Sequence, residues 1–198
     1  MGRPSNTEQR KQEIVDALLR VMSERGYEKA SIQAIAKEAG LAPGLIHYHF
    51  KTKQEMLLGL VNWIALSATE RLQEMELMAD DPWGKLSAFI NARLAMGKAE
   101  LPQVVSAWVV IAGESIRQSE IKEIYQDLIK RQLELLTQLI ADIWEGKSAK
   151  SKEVTNLSAI VIATMEGAFQ LSATANEVMP ENYAAESVLE IIKARVSK

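Results

Sequence analysis

The sequence predicts an all-helical fold. Apolar residues recur at three- and four-residue intervals along most of the chain, Gly and Pro fall between these stretches, and no run alternates as a half-buried strand would. The predicted architecture is a three-helix N-terminal head, residues 1–52, containing a helix-turn-helix, joined to a C-terminal helical bundle, residues 53–198.

The first helix is predicted over Thr7 to Arg25, with Ile14, Ala17, Leu18, Val21 and Met22 on one face and Gly26 ending it. Ser31 is an N-cap for the second helix. Counting Ile32 as the first position of a two-helix unit puts Ala36 fifth, where the helices approach closely, and Gly40 ninth, where the turn needs positive φ. A short third helix starts near Pro43. Ile35, Ala39, Leu41 and Ile46 then face inward and Phe50 closes the small core. Ser31, Pro43, Gly44, Leu45, His47 and Tyr48 point outward.

A fourth helix begins near Lys53, carrying Met56, Leu57, Leu60, Val61 and Ile64 on one side. Asp80-Asp81-Pro82 marks a break, after which helices are predicted near 83–98, 102–117, 119–145, 151–175 and 182–196. The penultimate one, VTNLSAIVIATMEGAFQLSATA, is apolar nearly all round and is expected to be buried, in part against a second subunit.

The helix-turn-helix spacing and its outward side chains predict double-stranded DNA as a partner. Charge agrees with that expectation. Residues 1–55 hold nine Lys/Arg against seven Asp/Glu, net +2, so −5 of the total −3 falls on the rest, and a mildly basic head approaches a polyanion while an acidic body stays in solvent. The longest apolar stretches read as too short or too interrupted to span a bilayer, and no apolar leader opens the chain. Cysteine is absent, which removes disulfides, thiolate nucleophiles and cysteine metal sites and fits a cytoplasmic protein. His47 and His49, two residues apart, fall on different helix faces, unlike an i, i+4 metal pair, so no metal or other cofactor is expected.

The run Gly40-Leu41-Ala42-Pro43-Gly44-Leu45-Ile46-His47-Tyr48-His49-Phe50-Lys51-Thr52-Lys53 resembles the TetR family of bacterial transcriptional repressors. The resemblance implies a homodimer joined through a four-helix interface, each head placing its third helix in the major groove of a palindromic operator, and a small-molecule effector that releases the DNA. It assigns phosphate contacts to Ser31, Tyr48 and Lys53 and base-edge contacts to Pro43, Gly44, Leu45 and His47. The chain departs from common members at positions 42, 43 and 47, where Ala, Pro and His replace more frequent Ser, Lys or Thr, and Tyr; apolar contacts to thymine methyls and DNA shape should then matter more. An activator or effector-independent regulator of the same fold fits the sequence equally.

In the body, Trp63, Phe89, Trp108, Tyr125 and Phe169, with Glu114, are candidates to line an effector cavity; the competing reading of each aromatic is ordinary core. Trp144 is a further aromatic that could line such a cavity. Glu166 lies in the apolar run IVIATMEGAFQL, where an unpaired carboxylate is costly, and is expected to find a partner across the dimer, or else an exposed face or a cationic ligand. The stretch from Trp108 to Tyr125 is similar to the choline-responsive repressors of betaine synthesis, which implies a quaternary ammonium compound against aromatic faces. No catalytic constellation appears: both histidines sit in the head, and the body offers no nucleophile paired with a base, so no enzyme activity is expected.

Overall fold

The computed structural model describes residues 6–76, 79–94, 102–181 and 183–197, and every regular element among them is an α-helix. In chain order these are α1 (Asn6–Lys29), α2 (Ile32–Ala39), α3 (Pro43–His49), α4 (Lys53–Glu76), α5 (Pro82–Leu94), α6 (Pro102–Ser115), α7 (Ser119–Ile143), α8 (Lys152–Thr174) and α9 (Tyr183–Val196). The predicted helices are all present. The end of the predicted 83–98 helix lies outside the described residues. Gly26 breaks α1 with φ 78° and ψ 163°, a conformation most side chains resist, and one further turn leads to Lys29.

The chain divides into two compact units, residues 1–64 with 101–124 and residues 65–100 with 125–198. In the first, Ile14, Leu18 and Met22 of α1, Ile35 of α2, Ile46 of α3 and Met56, Leu57 and Leu60 of α4 are fully buried. Each such side chain contributes about 1.5–3 kcal/mol. Gly59 lets α4 approach this core: a Cβ there would lie 3.2 Å from Val15 Cγ2 and 3.5 Å from the Phe50 ring. Helix α6 packs on α1, with Val105, Trp108 and Ile111 buried.

The second unit has its own core, in which Leu86, Phe89 and Ile90 of α5 meet Leu136 and Ile140 of α7, Val154 and Val161 of α8 and Val188 and Ile192 of α9. Asp81 caps α5, its Oδ1 accepting the Gly84 N–H at 2.6 Å, with Pro82 at the first helical position.

Within one chain α8 buries one stripe: Val154, Leu157, Ser158, Val161, Ile162 and Met165 face the core, while Ala159, Ile160, Ala163, Gly167 and Leu171 are exposed. An i, i+3/i+4 set of contacts buries only one stripe of a helix, however apolar the other side is. One expectation about α8 needs correction: it is, by length and composition, apolar enough to cross a membrane, because its small polar residues barely lower the hydropathy and only Glu166 adds to the charges of Lys152 and Glu153 at its start.

Candidate nucleic-acid interface

The helix-turn-helix is built from local backbone chemistry. The Ser31 Oγ accepts the Ala34 N–H at 3.2 Å, satisfying one orphan donor at the start of α2. Gly40 takes the left-handed conformation, φ 66° and ψ 29°, and Leu41 N–H returns to the Ala36 carbonyl at 2.9 Å. Ile35, Ala36, Ile46 and Phe50 are buried, so α2 and α3 meet along one seam. Outside, Arg20 Nε donates to Glu38 Oε1 at 2.6 Å and joins α1 to α2.

Ser31, Pro43, Gly44, His47 and Tyr48 are exposed, Tyr48 to 72%. Leu45, expected to point outward, is half-buried. Ala39 and Leu41, expected inside, are likewise half-buried. His49 is half-buried and its ring meets Tyr48 edge-on, centroids 5.0 Å apart, which leaves His47 as the exposed imidazole.

The start of α4 is capped by residues that the sequence reading passed over. Thr52 Oγ1 accepts the Glu55 N–H at 3.0 Å, and Glu55 Oε2 accepts the Lys51 N–H at 2.7 Å. The signal was available, since Thr52-Lys53-Gln54-Glu55 has capping-box spacing.

Lys53 is more constrained than its expected phosphate role requires. Its ammonium donates to the Tyr27 carbonyl and, at 3.3 Å, to that of Glu28, and lies 4.1 Å from the Tyr27 ring centroid. Two of its three donors are thus engaged at the end of α1. Burial pushes the ammonium below its ordinary range, while Glu114 and Glu28 pull the other way. Burial, with Glu114 second, raises the Tyr27 phenol.

Glu114, a cavity candidate, is only 9% exposed and is engaged by its own unit. It accepts from Gln118 Nε2 at 2.7 Å and pairs with Arg117 at 3.6 Å. It also borders a cleft of about 390 Å³ between the end of α1 and α6, with Tyr27, Val109, Val110, Gly113 and Arg117. Trp108, buried, and Trp63, half-buried, belong to the same unit.

Phe89, Tyr125 and Phe169 belong to the second unit. Phe89 is fully buried core, with the Arg93 guanidinium 3.8 Å from its ring centroid. Trp144 is core also, with Arg195 at 5.7 Å. The Tyr125 hydroxyl donates to Glu166 Oε2 at 2.6 Å, so Glu166 has a partner within its own chain. Burial first, then this bond and the carboxylate charge, raise the Tyr125 phenol well above its ordinary value. Phe169 is half-buried, three residues along α8 from Glu166. A groove of about 470 Å³ between α5 and α9, lined by Trp83, Asn91, Glu186, Leu189, Glu190 and Lys193, was not anticipated.

Residues 14–60 match the bacterial regulatory proteins of the tetR family, and residues 82–197 match the C-terminal domain of BetI-type transcriptional repressors. The chain belongs to the TetR family, in its BetI-type branch. It is 28% identical over 191 residues to the regulator BetI of Vibrio campbellii, covering 96% of this chain and 91% of that protein. The match to BetI of Rhizobium meliloti spans 56% of that relative's length. A transcriptional regulator from Rhodococcus sp. Rha1 shares the fold with a TM-score of 0.81 at 22% identity, covering 94% of this chain and 96% of that one. A regulator from Saccharomonospora viridis, solved in complex with choline, does so at 0.76 and 19%, covering 96% of each chain.

Proposed function

We propose that this TetR-family regulator is a cytoplasmic repressor that binds a palindromic operator as a homodimer and releases it when a small molecule occupies the body. The observation that carries the reading is the pairing at α3: Ile46 and Phe50 are buried while Pro43, Gly44, His47 and Tyr48 face solvent. A helix held from behind and bare in front suits insertion into a major groove. Ser31, Tyr48 and the α4 amides supply phosphate contacts, and Pro43, Gly44, His47 and the exposed edge of Leu45 supply base-edge contacts. Lys53 joins α1 to α4, and its ammonium is assigned to that join rather than to a phosphate.

The exposed stripe of α8, with Ile160 60% and Leu171 38% exposed, and Ile191 of α9 at 54%, supports a self-complementary four-helix contact. Ala159, Ala163 and Gly167, four residues apart, allow close backbone approach there. Ile160→Asp should shift the dimer toward monomer in sedimentation. For the effector, the Tyr125–Glu166 pair beside Phe169 offers a carboxylate and aromatic faces, which suits an organic cation, in keeping with the BetI-type domain and the choline bound by the Saccharomonospora regulator. Repression is then a population shift: the effector favours dimer geometries in which the recognition helices no longer match successive major grooves.

The experiment is binding of purified protein to the DNA flanking its own gene, against scrambled DNA of equal length, over a salt series and with choline added. Tight, sequence-dependent, salt-sensitive binding that choline weakens supports the whole reading; binding unmoved by choline removes that effector; equal weak binding to both DNAs removes this operator.

A further inference from the structure

One residue joins three helical segments within the first unit. Gln118, at the corner between α6 and α7, donates through Nε2 to Glu114 Oε2 at 2.7 Å and accepts through Oε1 from Gln54 Nε2, on the first turn of α4, at 2.9 Å. The corner around it is tight: the Arg117 and Gln118 amides both return to the Glu114 carbonyl, and the Gln118 carbonyl accepts from Lys122 in α7. The order of donors is set from one end. A carboxylate only accepts, so Glu114 turns the Gln118 amide with its NH₂ inward and its oxygen toward α4, which requires the NH₂ of Gln54 in turn.

The first turn of α4 is itself tied to the recognition helix. Only residues 50–52 separate α3 from α4. Phe50, 5% exposed, packs its ring against Gly59, and Thr52 caps α4. A displacement of the α4 start is therefore carried to α3 through a three-residue link with its aromatic ring pinned.

We propose that Gln118 is the positioning residue through which the α6–α7 corner sets the attitude of the recognition helix. The proposal rests on the DNA-binding reading of α3. The link uses half-buried amides rather than an apolar core, so it is worth a factor of about five in an equilibrium, within reach of the free energy that a bound effector supplies. Helix α7 runs without a break from this corner through Tyr125, whose hydroxyl is bonded to α8.

The test uses the full-length protein and three variants. Gln118→Ala cuts the link. Gln54→Glu sets an acceptor against the Gln118 oxygen, although a carboxylate in the first turn of α4 is favoured by the helix dipole, so any loosening comes from the lost bond. Gln54→Glu with Gln118→Lys restores it, because an ammonium donates to both carboxylates. Hydrogen exchange at the amides of Met56, Leu57 and Leu58 reads the tether without DNA. Affinity for the flanking-gene DNA across a salt series reads its consequence.

Both single variants should exchange about fivefold faster there and bind the operator about fivefold more weakly with an unchanged salt slope. The double variant should return both readings to within twofold of wild type. Unchanged exchange in Gln118→Ala, or a double variant as loose as Gln54→Glu, would overturn the proposal. Faster exchange with unaltered operator affinity would overturn the link to α3. If wild-type protein does not distinguish its flanking DNA from scrambled DNA, the operator reading fails, and the exchange pattern still decides the tether.

Discussion

Replacing Lys53 by Gln separates two roles that one ammonium can play. The structure gives it two carbonyl acceptors, of Tyr27 and Glu28, and a Tyr27 ring 4.1 Å away. At a half-exposed position the two bonds contribute about 1 kcal/mol together, and the ring about 0.5–1 kcal/mol more. The loss is then about 2 kcal/mol, or a fall in Tm of about 4–8 °C for a chain of this size. Each phosphate neutralised contributes about 0.9 to the slope of log K against log salt, so a lysine acting on phosphate in both heads would account for about 1.8. The expected result for Lys53→Gln is a lower Tm with a slope changed by less than about 0.5, measured by thermal melting and fluorescence anisotropy on the same preparations. A slope reduced by about 1.8 with an unaltered Tm would refute the reasoning, because it would mean that the ammonium leaves α1 for DNA at no cost.

Glycine positions make a paired prediction: Gly59→Ala should destabilise by about 1 kcal/mol, because its Cβ meets the stiff Val15 side chain at 3.2 Å, whereas Gly113→Ala, with nothing within 4 Å, should stabilise by about 0.5–1 kcal/mol, both read by denaturant midpoints. Tyr48→Phe should weaken binding to most DNA sequences alike, while Leu45→Ala should alter preference at particular base pairs and, being half-buried, also lower stability by about 1 kcal/mol; a binding-site selection experiment with both variants would expose a reversal. Tyr125 should ionise above the usual phenol range by ultraviolet titration, and Glu166→Gln should bring it part of the way back, since burial remains. The sign for stability follows: a phenol raised in the folded state contributes fully below its unfolded value near 10, and that contribution fades as pH climbs from there through the folded value, so wild type should lose more stability than Glu166→Gln on that climb.

Much of the fold was legible because its determinants are local. Gly26 and Gly40 mark two of the places where φ turns positive, Ser31 and Pro43 mark helix starts, and the 3.6-residue period of Ile14, Leu18, Met56 and Leu60 names the face that is buried. The outward set on α3 could be read for the same reason, apart from Leu45, which is half-buried. The Thr52–Glu55 cap was equally local and was visible as a spacing.

Pairings between distant residues were not legible. Lys53 on the end of α1, Gln54 on Gln118, and Tyr125 on Glu166 join residues 26, 64 and 41 positions apart, and no periodicity in either partner announces the other. The same holds for α8, whose apolar residues suit burial on every side, while the packing of α5, α7 and α9 covers only one stripe. The sequence by itself determined the helices, their caps and the turn that presents α3, since each depends on the chemistry of residues within about one helical turn. The tertiary structure alone decided which polar groups are engaged, because a hydrogen bond between separate elements requires both to be in place before either partner has a direction to point.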